Sequence, residues 1–117
     1  MLPRNNRLRK DKDFDFVFKT GRVSYDKIMG VRAVINHCGV NRFGILVSNK
    51  ISKKAVERNK IKRRIREAAR ANIDKIKKGF DIIIVSLPNI KEQTFKEISY
   101  SLITHFERLK LFNISKK

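Results

Sequence analysis

The sequence predicts an α+β fold, and three observations carry the prediction. Val31, Ala33 and Ile35 alternate with Arg32, Val34 and Asn36, the two-residue period of a half-buried strand. Asp81 to Leu87 is nearly unbroken apolar sequence, of the kind buried on both faces inside a sheet. Around these lie three segments with helical periodicity. The expected order is helix, three-stranded antiparallel region, basic helix, central strand and C-terminal helix. This αβββαβα arrangement forms a single mixed sheet with helices packed on it.

At 117 residues the chain fits one domain with one modest core, spanning 1–117. Residues 1–10 hold Arg4, Arg7, Arg9 and Lys10 with little apolar content and are expected to form an extended basic arm. Asp11 to Lys19 follows as a helix, because Phe14, Val17 and Phe18 fall on one face and Phe16 on the other. Gly21 is expected to close it in the left-handed conformation. Arg22 to Tyr25 fits a short strand, His37 to Asn41 a connection containing Gly39, and Arg42 to Ser48 another strand.

The longest helical pattern runs from Lys53 to Lys78, closed by Gly79. Ile61, Ile65, Ala68, Ala69, Ile73 and Ile76 make its apolar side. Pro88 ends the central strand. Thr94-Phe95-Lys96-Glu97 then reads as a capping box, in which Thr and Glu satisfy each other's free backbone amides. Phe95, Ile98, Leu102, Phe106 and Leu109 form the stripe expected to be buried in the last helix.

Charge narrows the function. Lys and Arg total 29 against 11 Asp and Glu, a formal net charge of +18, while a hydrophobic fraction of 41% supports a folded domain. Such an excess calls for an anionic partner. Nucleic acid fits best, because each neutralised phosphate returns condensed counterions to solvent. No stretch approaches the ~18 apolar residues of a membrane span, and the basic N-terminus lacks the apolar run of a signal peptide. The single cysteine, Cys38, has no internal disulfide partner. A cytoplasmic location is expected, with no membrane association and no obligate protein partner.

Between Lys53 and Arg70 there are nine Lys or Arg against two Glu, so this segment alone carries +7. On a helical wheel Asn59, Lys62, Arg63, Arg66 and Arg70 form a ridge opposite the apolar side, about 16 Å long at 1.5 Å per residue. Arginine suits such a ridge because its planar fork grips phosphate oxygens and stacks on bases. Asn59 adds an amide donor and a carbonyl acceptor for a base edge, a 2′-hydroxyl or a hydrated ion. A solvated face without a partner would mix signs more evenly.

A nuclease with its own active site would need clustered carboxylates or a positioned histidine. The acids are dispersed, and Asp11, Asp13 and Asp15 fit the start of a helix, where they relieve its dipole. His37 and Cys38 lack further ligands at metal-site spacing. His105 sits in the last helix as a packing or surface residue. No catalytic residue and no metal site are assigned to the chain, and a phosphate-binding glycine loop is absent.

Glu57-Arg58-Asn59-Lys60-Ile61-Lys62-Arg63-Arg64-Ile65-Arg66-Glu67 is similar to the signature of the bacterial ribonuclease P protein family, whose usual core is Arg-Asn-Arg-x-Lys-Arg. Arg7-Leu8, the stretch Phe14-x-x-Val17-Phe18-Lys19-x-Gly21, Gly44-Ile45-Leu46-Val47-Ser48-Asn49-Lys50 and Asp81-Ile82-Ile83-Ile84-Val85 agree in order, so the resemblance covers nearly the whole chain. There are departures. Lys60 replaces the second signature Arg, Asn5 an early Arg, Leu87 a frequent basic residue, and Arg32 a frequent aromatic.

The resemblance implies a protein that assists a large catalytic RNA, with bound magnesium, in removing the 5′ leader from precursor transfer RNA. It implies a left-handed β-α-β crossover around the basic helix. It also implies roles for residues: Arg58, Asn59, Lys60, Lys62, Arg63, Arg66 and Arg70 toward RNA, with Arg7, Arg9, Lys53 and Lys54 as further basic contacts. A leader-binding cleft would be lined by Phe14, Phe18, Arg32, Ser48 and Lys50. Periodicity alone favours Phe14 and Phe18 as core residues; the resemblance favours the cleft. The rival function is a ribosomal or other structural RNA-binding protein.

Overall fold

A computed structural model of the chain describes residues 6–113. The elements are α1 (Asp11–Thr20), β1 (Arg22–Tyr25), β2 (Met29–Ile35), β3 (Arg42–Leu46), α2 (Ala55–Asn72), β4 (Phe80–Ser86) and α3 (Phe95–Arg108). The predicted α+β class and αβββαβα order are both present. One sheet of order β1-β2-β4-β3 joins them.

The strand pairing corrects one expectation. β1, β2 and β3 do not form a three-stranded antiparallel region: β3 lies beyond β4 and runs parallel to it, from Arg42↔Asp81 to Leu46↔Val85. β4 instead pairs antiparallel with β2, Ile83 opposite Arg32. The reason lies in β4 itself. Ile82 and Ile84 enter one core and Ile83 another, so this strand belongs at the centre with a neighbour on each side. β3-α2-β4 is thus a parallel crossover unit.

The main core lies between the sheet and the two helices α2 and α3, where Val31, Ile65, Ile82, Ile84, Leu102 and Phe106 are buried together. The opposite sheet face carries a smaller cluster of Leu8, Val17 and Ile83 beneath α1. Leu8 anchors the expected extended basic arm. Its amide donates to the Phe43 carbonyl at 2.8 Å, its side chain is buried, and Arg7 bridges to Phe43, so residues 6–8 lie along the β3 edge. Arg4 and Asn5 lie outside the described residues.

Three local expectations are also corrected. Gly21 is extended (φ −71°, ψ 148°) rather than left-handed. Glycine is needed there because a Cβ would stand 2.6 Å from the Val17 carbonyl oxygen. Ile35 is exposed, since β1 begins opposite Ala33 and leaves the end of β2 without that neighbour. Phe95 is exposed at the start of α3, where Ile90 and Ile98 fill the core; the Thr94–Glu97 capping box forms as expected.

α2 stops at Asn72, short of Lys78. The buried Asn72 side chain donates to the Ala68 carbonyl at 2.8 Å, and a tight turn, Ile73–Lys75, follows. Ile76 then bridges antiparallel to Phe112. The Lys77 amide donates to the Leu111 carbonyl at 2.7 Å, so these residues serve the C-terminal segment instead of a helix. Gly79 does adopt a positive φ of 95°, but as the entry to β4.

Candidate nucleic-acid interface

Burial of Ile61, Ile65, Ala68 and Ala69 fixes the rotation of α2. Asn59, Lys60, Arg63 and Arg70 are consequently exposed, with Lys62 and Arg66 half-buried along their stems. The predicted ridge therefore exists as one outward face. Two basic residues of α2 have structural duties as well. Arg58 donates to the Ser52 carbonyl at 2.9 Å, holding the turn that precedes the helix. Arg70 lies 3.3 Å from Glu67, which offsets part of its charge. Arg64 differs: it donates to the Gln93 carbonyl at 3.1 Å and ties α2 to the segment before α3.

The start of α2 is organised by Ser52. Its hydroxyl accepts from the Lys54 amide at 3.2 Å and donates to Glu57. That hydroxyl, with Lys91 and Lys54 nearby, holds the Glu57 carboxyl below the usual range against the opposing effect of burial. The only acid in the first turn is thus engaged, and the exposed Lys53 and Lys54 extend the positive face.

The second surface is the sheet face under α1. Val17 is fully buried in the cluster with Ile83. Phe14 packs over Gly44, where a Cβ would stand 2.5 Å from the ring. Phe18, one turn later, is 40% exposed. The Arg32 guanidinium sits over it, 5.3 Å from the ring centroid, and donates to the Phe18 carbonyl at 3.4 Å. Sequence spacing put both rings on one helix face; the structure gives them different work. Phe14 packs against Gly44, and Phe18 is accessible. Ser48 and Lys50 are exposed in the turn that leads from β3 toward α2, with the Lys50 amide donating to the Ser48 hydroxyl at 3.2 Å.

Periodicity did not single out Val23, Tyr25, Leu46 and Val85, which share that sheet face. The signal is the register: Val23 pairs with Arg32, Tyr25 with Gly30, and both Gly30 and Leu46 with Val85. A single short strand of the pattern Arg-Val-Ser-Tyr cannot show it.

Beside β3, exposed Arg7, Arg9 and Lys10 surround a shallow depression of about 270 Å³ with Cys38 and Arg42. Arg42 is committed elsewhere. Its Nε and Nη2 each donate at 2.7 Å to the Asp81 carboxylate, raising the guanidinium above its ordinary value. Asn36 also donates to Asp81, at 2.8 Å.

Asp13 and His105 are occupied by structure, whereas His37 is exposed in the connection between β2 and β3. Asp13 lies 3.6 Å from Arg42. His105 is fully buried, with Nδ1 2.7 Å from the Ser24 hydroxyl and Nε2 3.2 Å from Asp26. In this serine-histidine-aspartate grouping Ser24 and His105 are buried between β1 and α3, beyond the reach of a polymer substrate, and Asp26 is partly exposed at its rim. Among the described residues no group of three or more His, Cys, Asp or Glu side chains is arranged to hold a metal ion. No described helix is long and apolar enough to cross a membrane.

A family model described as Ribonuclease P matches residues 2–110. The chain is 38% identical over 109 residues to the ribonuclease P protein component of Alkaliphilus metalliredigens, covering 93% of this chain and 97% of that one. It is 41% identical over 100 residues to the Clostridioides difficile component, covering 85% and 87%. The solved Staphylococcus aureus RNase P protein superposes with a TM-score of 0.84 at 34% identity, covering 92% and 98% of the two chains. The Thermotoga maritima RNase P protein gives 0.76 at 33% identity, covering 84% and 92%.

Proposed function

The chain belongs to the ribonuclease P protein family, and from that premise we propose that it binds both the catalytic RNA and the 5′ leader of precursor transfer RNA. As a protein component of ribonuclease P it is a subunit of a ribonucleoprotein endoribonuclease, partnered by the ribonuclease P RNA. One observation carries the finer reading. The open sheet face bearing the Arg32–Phe18 stack reaches Leu46 on the β3 edge, and from there the chain leads through Ser48 and Lys50 to the start of the basic helix α2 on the other face. A single strand laid on that face would reach the start of the basic helix by turning over the β3 edge.

The division of labour follows from the side chains. Arg58, Asn59, Lys60, Lys62, Arg63, Arg66 and Arg70 engage RNA near the cleavage point, assisted by Arg7, Arg9, Lys53 and Lys54. Phe18 and Arg32 hold unpaired nucleotides by stacking and charge, worth about 1–3 kcal/mol per stacked base. Ser48 and Lys50 guide the strand between the two surfaces. Phe14 supports the cleft from beneath by packing on Gly44. Magnesium and the bond-breaking groups belong to the RNA, and the work takes place in the cytoplasm.

Cleavage of a precursor transfer RNA by a bacterial ribonuclease P RNA at low magnesium tests this reading. A protein of net charge +18 offsets repulsion between two polyanions when divalent ions are scarce, so addition of the chain is expected to stimulate leader removal. Absence of stimulation, with the RNA still bound, would favour the rival function of a structural RNA-binding protein.

A further inference from the structure

One row of residues on the open sheet face is left uncovered by α1. It crosses all four strands as Tyr25, Gly30, Val85 and Leu46, each paired with the next. The neighbouring row, Val23, Arg32, Ile83 and Gly44, is the one on which Phe14, Val17 and Phe18 sit. At the two ends of the uncovered row, Tyr25 is 69% and Leu46 37% exposed. Strands are spaced by about 4.8 Å, so the row runs for about 14 Å from the β1 edge to β3. None of its three side chains carries a charge.

We infer that Tyr25 is a second base-stacking platform, placed at the far end of the leader cleft and engaged only by leaders long enough to reach the β1 edge. The inference rests on the leader-cleft reading above. Tyr25 shares its face with Arg32 and Phe18 but stands on the edge strand, whereas α2 is reached from the β3 side. A strand entering beside Lys50 meets Leu46 and Val85 first and Tyr25 last. Gly30 keeps that route open: a Cβ there would stand 3.4 Å from the Tyr25 Cβ, so any larger side chain would rise from the floor against the tyrosine. The exposed phenol ring offers a π-face, which every base can use whatever its sequence.

A second copy of this chain is the less favoured occupant of the β1 edge. Two molecules of net charge +18 repel one another, whereas a leader is anionic and apolar-faced.

The test is the affinity of the reconstituted protein–RNA complex for precursor transfer RNAs with a graded series of leader lengths. Tyr25→Ala is expected to weaken binding of long-leader substrates about fivefold or more while leaving short-leader binding unchanged, and Tyr25→Phe should retain wild-type affinity. Gly30→Val should reproduce the long-leader loss by filling the floor. If Tyr25→Ala binds long leaders normally while Phe18→Ala and Arg32→Ala do not, the inference fails and the cleft stands. If none of the three variants affects any leader, the cleft reading fails as well. A loss independent of leader length, or a change in oligomeric state measured by sedimentation, would also overturn the role assigned to Tyr25.

Discussion

His105 of α3 and Ser24 of β1 meet across the core, Nδ1 to Oγ at 2.7 Å, and so pin the edge strand from the side opposite Tyr25. Asp26 completes the arrangement. It accepts from the Ile28 and Met29 amides at 2.9 and 3.0 Å and from the Ser101 hydroxyl at 2.5 Å. Its carboxylate lies 3.2 Å from His105 Nε2, though outside hydrogen-bonding geometry. Burial pushes the His105 pKa down, Asp26 opposes that, and Arg108 adds to it.

The first prediction concerns pH. A histidine whose folded pKa lies below its unfolded value binds fewer protons in the native state. Its contribution to stability is complete above the ordinary histidine pKa of about 6.5 and is lost as pH falls from there through the lowered native value. Burial alone would raise the Asp26 carboxyl; the Ser101 hydroxyl, the two amides and His105 lower it overall. Its share is therefore lost only at more acidic pH, below the ordinary aspartate value. Urea unfolding between neutral pH and about pH 5 is expected to show decreasing stability, and His105→Gln should flatten that slope. A wild-type stability unchanged through this window would remove His105 as the source.

The second prediction concerns Asp81, which is 3% exposed and accepts hydrogen bonds from Arg42 and Asn36. Asp81→Ala would strand the Arg42 guanidinium against the sheet without its carboxylate. The expected loss is about 2–4 kcal/mol, moderated because Arg42 retains some solvent. Chemical denaturation measures it. A loss near zero would mean that the Arg42 side chain swings out to water freely.

How far these features are legible in sequence depends on how local their causes are. The Thr94–Glu97 box spans four residues and is readable; so is the doubly buried β4, because both its faces are apolar. The basic ridge followed from helical spacing around Ile61 and Ile65. By contrast, Arg42 and Asp81 are 39 residues apart, and Ser24 and His105 are 81 apart. Neither pair leaves a periodic trace. The placement of β3 beside β4 depends on competition among strands for the centre. Phe14 and Phe18 look equivalent on a wheel, yet only Phe14 meets a glycine that can receive its ring.

That asymmetry gives the third prediction. Phe14→Ala empties the space over Gly44 and should cost about 2–3 kcal/mol, less than a fully buried phenylalanine because the ring is half-buried. Gly44→Ala should be similarly harmful by forcing the ring away. Phe18→Ala should cost little stability but weaken binding of precursors with long leaders. Denaturation and leader-dependent affinity, measured together, separate the two roles. Equal destabilisation by Phe14→Ala and Phe18→Ala would assign both rings to packing.

The fourth prediction separates arginines of one helix by what they touch. Arg63 is exposed and Arg66 half-buried on the outward face of α2, whereas Arg64 is bonded to the Gln93 carbonyl. If the outward face meets phosphates, log affinity for ribonuclease P RNA falls with log salt in proportion to the contacts made. Arg63→Ala and Arg66→Ala should each make that slope shallower by about one unit while barely changing stability. Arg64→Ala should do the reverse: it breaks the tie between α2 and the segment before α3, lowering stability, and leaves the salt slope of the folded protein unchanged. Titrating the catalytic RNA at several salt concentrations distinguishes these outcomes. An unaltered slope for the Arg63 and Arg66 variants would take the ridge out of the interface, and a shallower one for Arg64→Ala would put the contact surface on the other side of the helix.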